Sequence, residues 1–179
     1  GILTDKPSCG VIDHCVFENE YATYTPDWGS RNVGYGVAVN RRQDETEWVD
    51  IQDVLGKYTD YTVFIEDCVF TRWRSVVAGN SGCHYVFRHN KVVGGLGHGE
   101  IDLHPMWLEP NVPARATEMY DNVFIDPVPP PIGETYPYVV EVWSGGGVFF
   151  NNYVRGYQKF IYTEDASWSS EFYPHDIYT

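Results

Sequence analysis

Read for the spacing of its apolar and polar positions, the chain repeats one short motif. The copies are Ile12-Asp13-His14-Cys15-Val16-Phe17, Ile65-Glu66-Asp67-Cys68-Val69-Phe70, Phe87-Arg88-His89-Asn90-Lys91-Val92, Met119-Tyr120-Asp121-Asn122-Val123-Phe124 and Phe149-Phe150-Asn151-Asn152-Tyr153-Val154. In each, apolar residues stand three places before and two places after the fourth position, so period-two alternation breaks there. A flat strand cannot turn both residues to one side, whereas a strand bent at that point can. The fourth position is held by Cys15, Cys68, Asn90, Asn122 and Asn152, with steps of 53, 22, 32 and 30 residues. These are solenoid coil lengths with one long excursion. Asn suits a bend because it tolerates the left-handed backbone region. On stacked coils, equivalent residues lie about 4.8 Å apart, so the buried amides can bond in a ladder. Cys is a small substitute in the same file.

A second strand-like stretch follows each motif: Tyr35 to Asn40, Ser75 to Ala78, Glu100 to His104, Tyr138 to Trp143 and Phe160 to Tyr162. Small residues at Asn80-Ser81-Gly82 and Ser144-Gly145-Gly146-Gly147 mark corners. The pattern predicts a single all-β domain over 1–179, a right-handed parallel β-helix of about five coils. The coils fall at about 8–40, 62–80, 83–104, 116–144 and 146–164, with a C-terminal tail at 165–179. Two strands per coil are visible, and a third is expected. Loops are expected at 18–34, 41–61, 105–116 and 125–137, the last rich in proline. Within the second loop, Asp44 and Glu47 read as a capping box, Trp48, Ile51 and Leu55 share a face, and Gly56 stops the run, which predicts one short helix.

Charge narrows the partners. Lys+Arg is 12 against Asp+Glu 25, a formal net charge of −13, so a nucleic-acid duplex or an anionic bilayer is repelled. No apolar run approaches the roughly 20 residues of a membrane span, and the first residues lack the basic start and apolar stretch of a signal peptide. The chain therefore reads as a mature or trimmed soluble piece, a fragment of a longer protein or a short representative. Cys9, Cys15, Cys68 and Cys83 form no Cys-x-x-Cys pair, which argues against structural zinc. Parallel neighbours point the same way, so free thiols are expected at Cys15 and Cys68. Abundant Tyr, Trp, Asn and Gly suit an extracellular protein.

The repeated motifs, with IDHCVF at 12–17 and GCHYVFRHN at 82–90, resemble the coils of the pectate-lyase-like superfamily of right-handed parallel β-helices. The likeness spans roughly residues 8–163, and its specificity lies in the repetition. It implies extracellular or cell-surface location and association with carbohydrate. It implies no single reaction, since members include lyases, hydrolases, adhesins and proteins of no known activity.

The richest chemistry lies at His98-Gly99-Glu100-Ile101-Asp102-Leu103-His104. On a strand with Ile101 and Leu103 inward, His98, Glu100, Asp102 and His104 line the outer face. If Val140 and Val142 mirror Ile101 and Leu103, Glu141 falls beside Asp102. Carboxylates that close favour a shared proton or a bound divalent cation. Glu100, Asp102 and Glu141 are accordingly candidate acid/base groups and candidate calcium ligands, with no other cofactor expected. Asp102 and Glu141 would share the proton work and His104 orient substrate, as in a glycoside hydrolase. A lyase would instead need calcium and a base such as Arg74 or Arg88, which also stand as substrate-binding candidates. Trp143 should face outward near Glu141, where its ring can stack on a sugar. Solvated outward groups on an acidic sheet are the plainer reading of the same residues. The file of His14, Asp67, His89, Asp121 and Asn151, one place before the bend, reads as a structural polar ladder. The favoured function is binding, with or without cleavage, of polysaccharide. The alternative is a structural or adhesive surface protein that self-associates end to end through unpaired coil edges.

Overall fold

The computed structural model describes residues 1–4, 8–19, 34–40, 62–80, 82–95, 100–104, 114–126, 138–143, 145–163 and 175–178. They form three parallel sheets and, among the described residues, no helix. Sheet A runs β1 (Ile2–Thr4), β4 (Tyr35–Asn40), β7 (Ser75–Asn80), β10 (Ile101–His104), β13 (Tyr138–Val142) and β16 (Lys159–Thr163). Sheet B runs β2 (Gly10–Asp13), β5 (Thr62–Glu66), β8 (His84–Arg88), β11 (Ala114–Tyr120), β14 (Gly145–Phe150) and β17 (His175–Tyr178). Sheet C runs β3 (Val16–Glu18), β6 (Val69–Trp73), β9 (Lys91–Gly95), β12 (Val123–Ile125) and β15 (Tyr153–Arg155). Each sheet takes every third strand, as in a β-solenoid whose chain visits B, C and A in turn. The expected helix near 44–56 lies outside the described residues. Within the expected tail, β17 adds a further parallel strand to β14.

The repeated motif is two strands, not one. The chain leaves sheet B and enters sheet C at the motif's centre, and this is where the expected third strand was hidden. The left-handed residue is also one place earlier than the sequence implies: His14, Asp67, His89, Asp121 and Asn151 have φ between 51° and 57°. His and Asx side chains are among those that accept this region most readily. The turn they make directs the following residue, Cys15, Cys68, Asn90, Asn122 or Asn152, toward the core.

That inward file is tied rung to rung. Asn90 Oδ1 accepts from Cys68 N at 2.9 Å, Asn122 Oδ1 from Asn90 N at 2.9 Å, and Asn152 Oδ1 from Asn122 N at 3.1 Å. The same amides reach back to carbonyls of the preceding rung: Asn90 to Ile65 O at 2.8 Å, Asn122 to Phe87 O at 2.9 Å and Asn152 to Met119 O at 3.0 Å. A buried amide so engaged avoids the roughly 1–3 kcal/mol cost of each unsatisfied group. Beside it the rows Ile12–Ile65–Phe87–Met119–Phe149 and Phe17–Phe70–Val92–Phe124–Val154 pack the core. Phe17 and Phe70 stack at 4.6 Å and 5°. Each fully buried side chain of this size contributes about 1.5–3 kcal/mol.

Across the core, Gly79 makes room for an aromatic ring. A Cβ there would lie 2.7 Å from the Tyr85 ring and 2.8 Å from Cys83 Sγ, so the absent side chain lets both bury completely. Alternation in sheet A starts irregularly. Val76 N and Val77 N both donate to Glu100 O, at 2.7 and 3.0 Å, and the consecutive pairs Val76–Val77 and Val139–Val140 both belong to the core. The shared acceptor is the mark of a bulge, which lets two successive residues turn inward.

Candidate functional site

Sheet A carries the in-register acid pair. β10 pairs with β13 so that Ile101 meets Val140, Asp102 meets Glu141 and Leu103 meets Val142. Ile101, Leu103, Val140 and Val142 are in the core, so Asp102 and Glu141 project from the opposite face. Their row continues through Ala78 and Ala38 on one side and Tyr162 on the other. The neighbouring row holds Asn40, Asn80 and His104, with Asn80 Nδ2 donating to Asn40 Oδ1 at 2.9 Å. Trp143 follows Val142, and its N–H donates to Leu103 O at 2.9 Å.

The centre of this face is buried, while Asn40, Asn80 and Tyr162 in the same rows are half-buried. Asp102 is 3% exposed, Glu141 2% and Trp143 8%. The expectation of water-exposed outward groups is thereby corrected: adjacent carboxyl groups occupy a buried setting, where electrostatic effects exceed those in water. The His104 backbone continues the strand, while its side chain and His98 lie outside the described residues. So do Trp28, Trp48, Trp107 and Trp168.

Glu100 does not join the pair. The bulge at the entry to sheet A sets it one place before the aligned Ile101, in the row where Val76 and Val139 pack the core, and it is fully buried. Its Oε1 accepts from the Tyr157 hydroxyl at 2.8 Å, while Oε2 has no hydrogen-bond partner among the described residues. Burial, with a smaller contribution from the Asp126 charge, pushes its carboxyl up to about 8 against the opposing Tyr157 bond. Burial likewise drives the Tyr157 hydroxyl upward, with the Glu100 charge adding to it. The proposed calcium set therefore divides: Glu100 faces Tyr157, and Asp102 faces Glu141. Among the described residues no three His, Cys, Asp or Glu converge as metal ligands.

The two arginines also lie apart. Arg74 follows β6 and donates from Nη1 to the Tyr35 hydroxyl at 3.1 Å, whereas Arg88 ends β8 on the outer face of sheet B. Arg88 holds Glu66 at 2.6 Å and the Tyr120 hydroxyl at 3.0 Å, and those partners, Tyr120 first, raise its affinity for its proton. In the file of left-handed residues, Asn151 Nδ2 donates to Asp121 Oδ1. His14 turns to its neighbour Asp13 at 3.2 Å, and His89 sets its ring edge against Tyr120. The continuous His–Asp ladder expected there is thus broken into local contacts.

A cluster that sequence reasoning missed lies on the outer face of sheet B. Thr62 Oγ1 is 3.3 Å from His84 Nδ1, and His84 Nε2 is 3.8 Å from Glu118 Oε1, an ion-pair distance longer than a hydrogen bond. All three side chains are buried, Thr62 and His84 being partners in register. Aligning the motifs by their bends brings Thr62 and His84 together, but Glu118 stands one row away on the diagonal. Tyr157 carries no comparable signal, because it follows the strand in a turn.

Comparison with protein-family models, with curated proteins and with solved structures finds no significant match to this chain.

Proposed function

We propose that the chain is a right-handed parallel β-helix of about five coils, of the pectate-lyase-like kind, that binds polysaccharide outside the cell along the outer face of sheet A. Asp102 and Glu141 are the groups that would cleave it. The observation that supports this reading is their side-by-side register on β10 and β13, within a buried setting and beside Trp143. In-register neighbours about 4.8 Å apart stand near the separation of a nucleophile and an acid in retaining glycoside hydrolases. In such a mechanism one carboxyl donates a proton to the departing oxygen while the other attacks the sugar carbon, and His104 holds the ring. Calcium is a lesser part of the reading, since among the described residues two acidic groups meet there. The expected result is cleavage of at least one member of a panel of plant, algal and microbial glycans, lost in Asp102→Ala/Glu141→Ala. Activity that survives the double replacement removes the catalytic assignment, and a panel with neither binding nor cleavage removes the polysaccharide reading.

End-to-end self-association is the second reading. It is supported by exposed Leu3, Val11 and Val16 on the outermost strands, at 64%, 57% and 75%. Light scattering that shows growth with concentration, without glycan affinity, would favour it.

A further inference from the structure

We propose that Cys15 and Cys68 are a reversible redox clasp, closing to a disulfide across successive rungs when the protein meets a small-molecule disulfide. All four cysteines are thiols in this structure. These two alone occupy adjacent places in one file. β2 pairs with β5 through Asp13 and Glu66, and β3 with β6 through Val16 and Val69, so Cys15 and Cys68 sit on neighbouring rungs. Rung spacing of about 4.8 Å falls inside the 4.4–6.8 Å range of bridged Cα atoms. Cys15 N donates to Cys68 Sγ at 3.4 Å. Cys15 Sγ further donates to Asp13 O at 3.1 Å, and Cys68 Sγ to Glu66 O at 3.1 Å and Ile12 O at 3.6 Å.

The choice of cysteine carries a cost that packing alone does not explain. Asn90, Asn122 and Asn152 each accept from the rung before and donate to its carbonyl at 2.8–3.1 Å. Cys68 replaces those bonds with sulfur contacts at 3.4 and 3.6 Å. Access and give are both present. Cys15 is half-buried, next to exposed Val16, while Cys68 is 1% exposed. Among the described residues β2 and β3 each pair on one side only, so their rung is held by fewer interstrand bonds than an inner one. Parallel side chains point the same way, and their Cβ atoms must draw together to about 3.8 Å, so the bridge is strained and readily reduced.

The chemistry balances without a further reagent. Cys15 thiolate attacks one sulfur of oxidised glutathione and releases one glutathione thiol. Cys68 thiolate then attacks Cys15 Sγ and releases the second. Two protein thiols and one external disulfide become one protein disulfide and two external thiols. Burial pushes the Cys68 thiol up, which slows this second attack. Cys83 is fully buried against Tyr85 and Gly79, and Cys9 is exposed ahead of β2.

The test uses the full chain with Cys9→Ser and Cys83→Ala, treated with oxidised glutathione. The expected product has lost two hydrogens, yields a Cys15–Cys68 cross-linked peptide, resists alkylation when unfolded, melts several degrees higher and reverts in dithiothreitol. An unchanged mass, or a lasting glutathione adduct on Cys15 with Cys68 still open to alkylation, overturns the proposal. Cys68→Ser should stop at that mixed adduct. Cys15→Asn/Cys68→Asn, made in the natural chain, extends the ladder and should melt higher than the reduced protein with no response to oxidant. An oxidant-dependent shift that persists in it also overturns the proposal.

Discussion

The corner between sheets B and C and the entry to sheet A obey different rules. At the B–C corner the turn has one length. A left-handed residue is followed by an inward one, and the pattern is copied from His14–Cys15 through Asn151–Asn152. Entry to sheet A follows connections of unequal length, and alternation restarts there with the shared acceptor at Glu100 O. Fixed geometry repeats in sequence. A corner fed by variable connections resets which face each residue takes.

The largest effect that would test this contrast is expected from the repeating corner. Asn122 bonds to Phe87 O, Tyr120 O and Asn152 Oδ1 and accepts from Asn90 N. Asn122→Ala leaves several of these buried groups unsatisfied, at about 1–3 kcal/mol each, and should lower stability by roughly 5 kcal/mol in urea unfolding. A loss under about 1 kcal/mol would deny the ladder its structural weight.

The irregular entry should reveal itself through pH. Glu100 in the folded chain binds its proton up to about 8 against an ordinary 4.5, so between those values the folded state holds a proton that the unfolded state has released. Stability therefore falls as pH rises through that window and levels off beyond it. The drop should be roughly 5 kcal/mol, and Glu100→Gln should abolish it. A wild-type slope retained in Glu100→Gln would place Glu100 on the outer face after all.

The smallest effect concerns the far side of the core. Gly79→Val pushes a side chain into Tyr85 and Cys83, and overpacking of this kind should cost about 1–3 kcal/mol in thermal unfolding. No loss would mean that Tyr85 does not fill the space beside Gly79.

The contrast also explains what the sequence made legible. The recurring motif revealed the inward file and the alternation that sets Asp102 beside Glu141, because both depend on short-range periodicity. Strict alternation from Ile101 puts Glu100 outside, and nothing in the residues marks a bulge. Asn is common to both files and so points to a left-handed site one place late, whereas His14, Asp67, His89 and Asp121 show where the turn lies. Burial of Asp102 and Glu141 was illegible because periodicity gives a residue's face and not what covers it. The Thr62–His84–Glu118 cluster escaped because its last member is a diagonal neighbour.

The most direct measurement is of hydrogen bonds between rungs, by through-bond NMR couplings in labelled protein. Couplings are expected from Lys91 N to Cys68 carbonyl, Val123 N to Asn90 carbonyl and Tyr153 N to Asn122 carbonyl, bonds of 2.9, 2.9 and 2.8 Å. Their presence together fixes three successive parallel rungs. Couplings that join these amides to other strands, or to antiparallel partners, would contradict the stacked parallel fold and the pairing of Asp102 with Glu141.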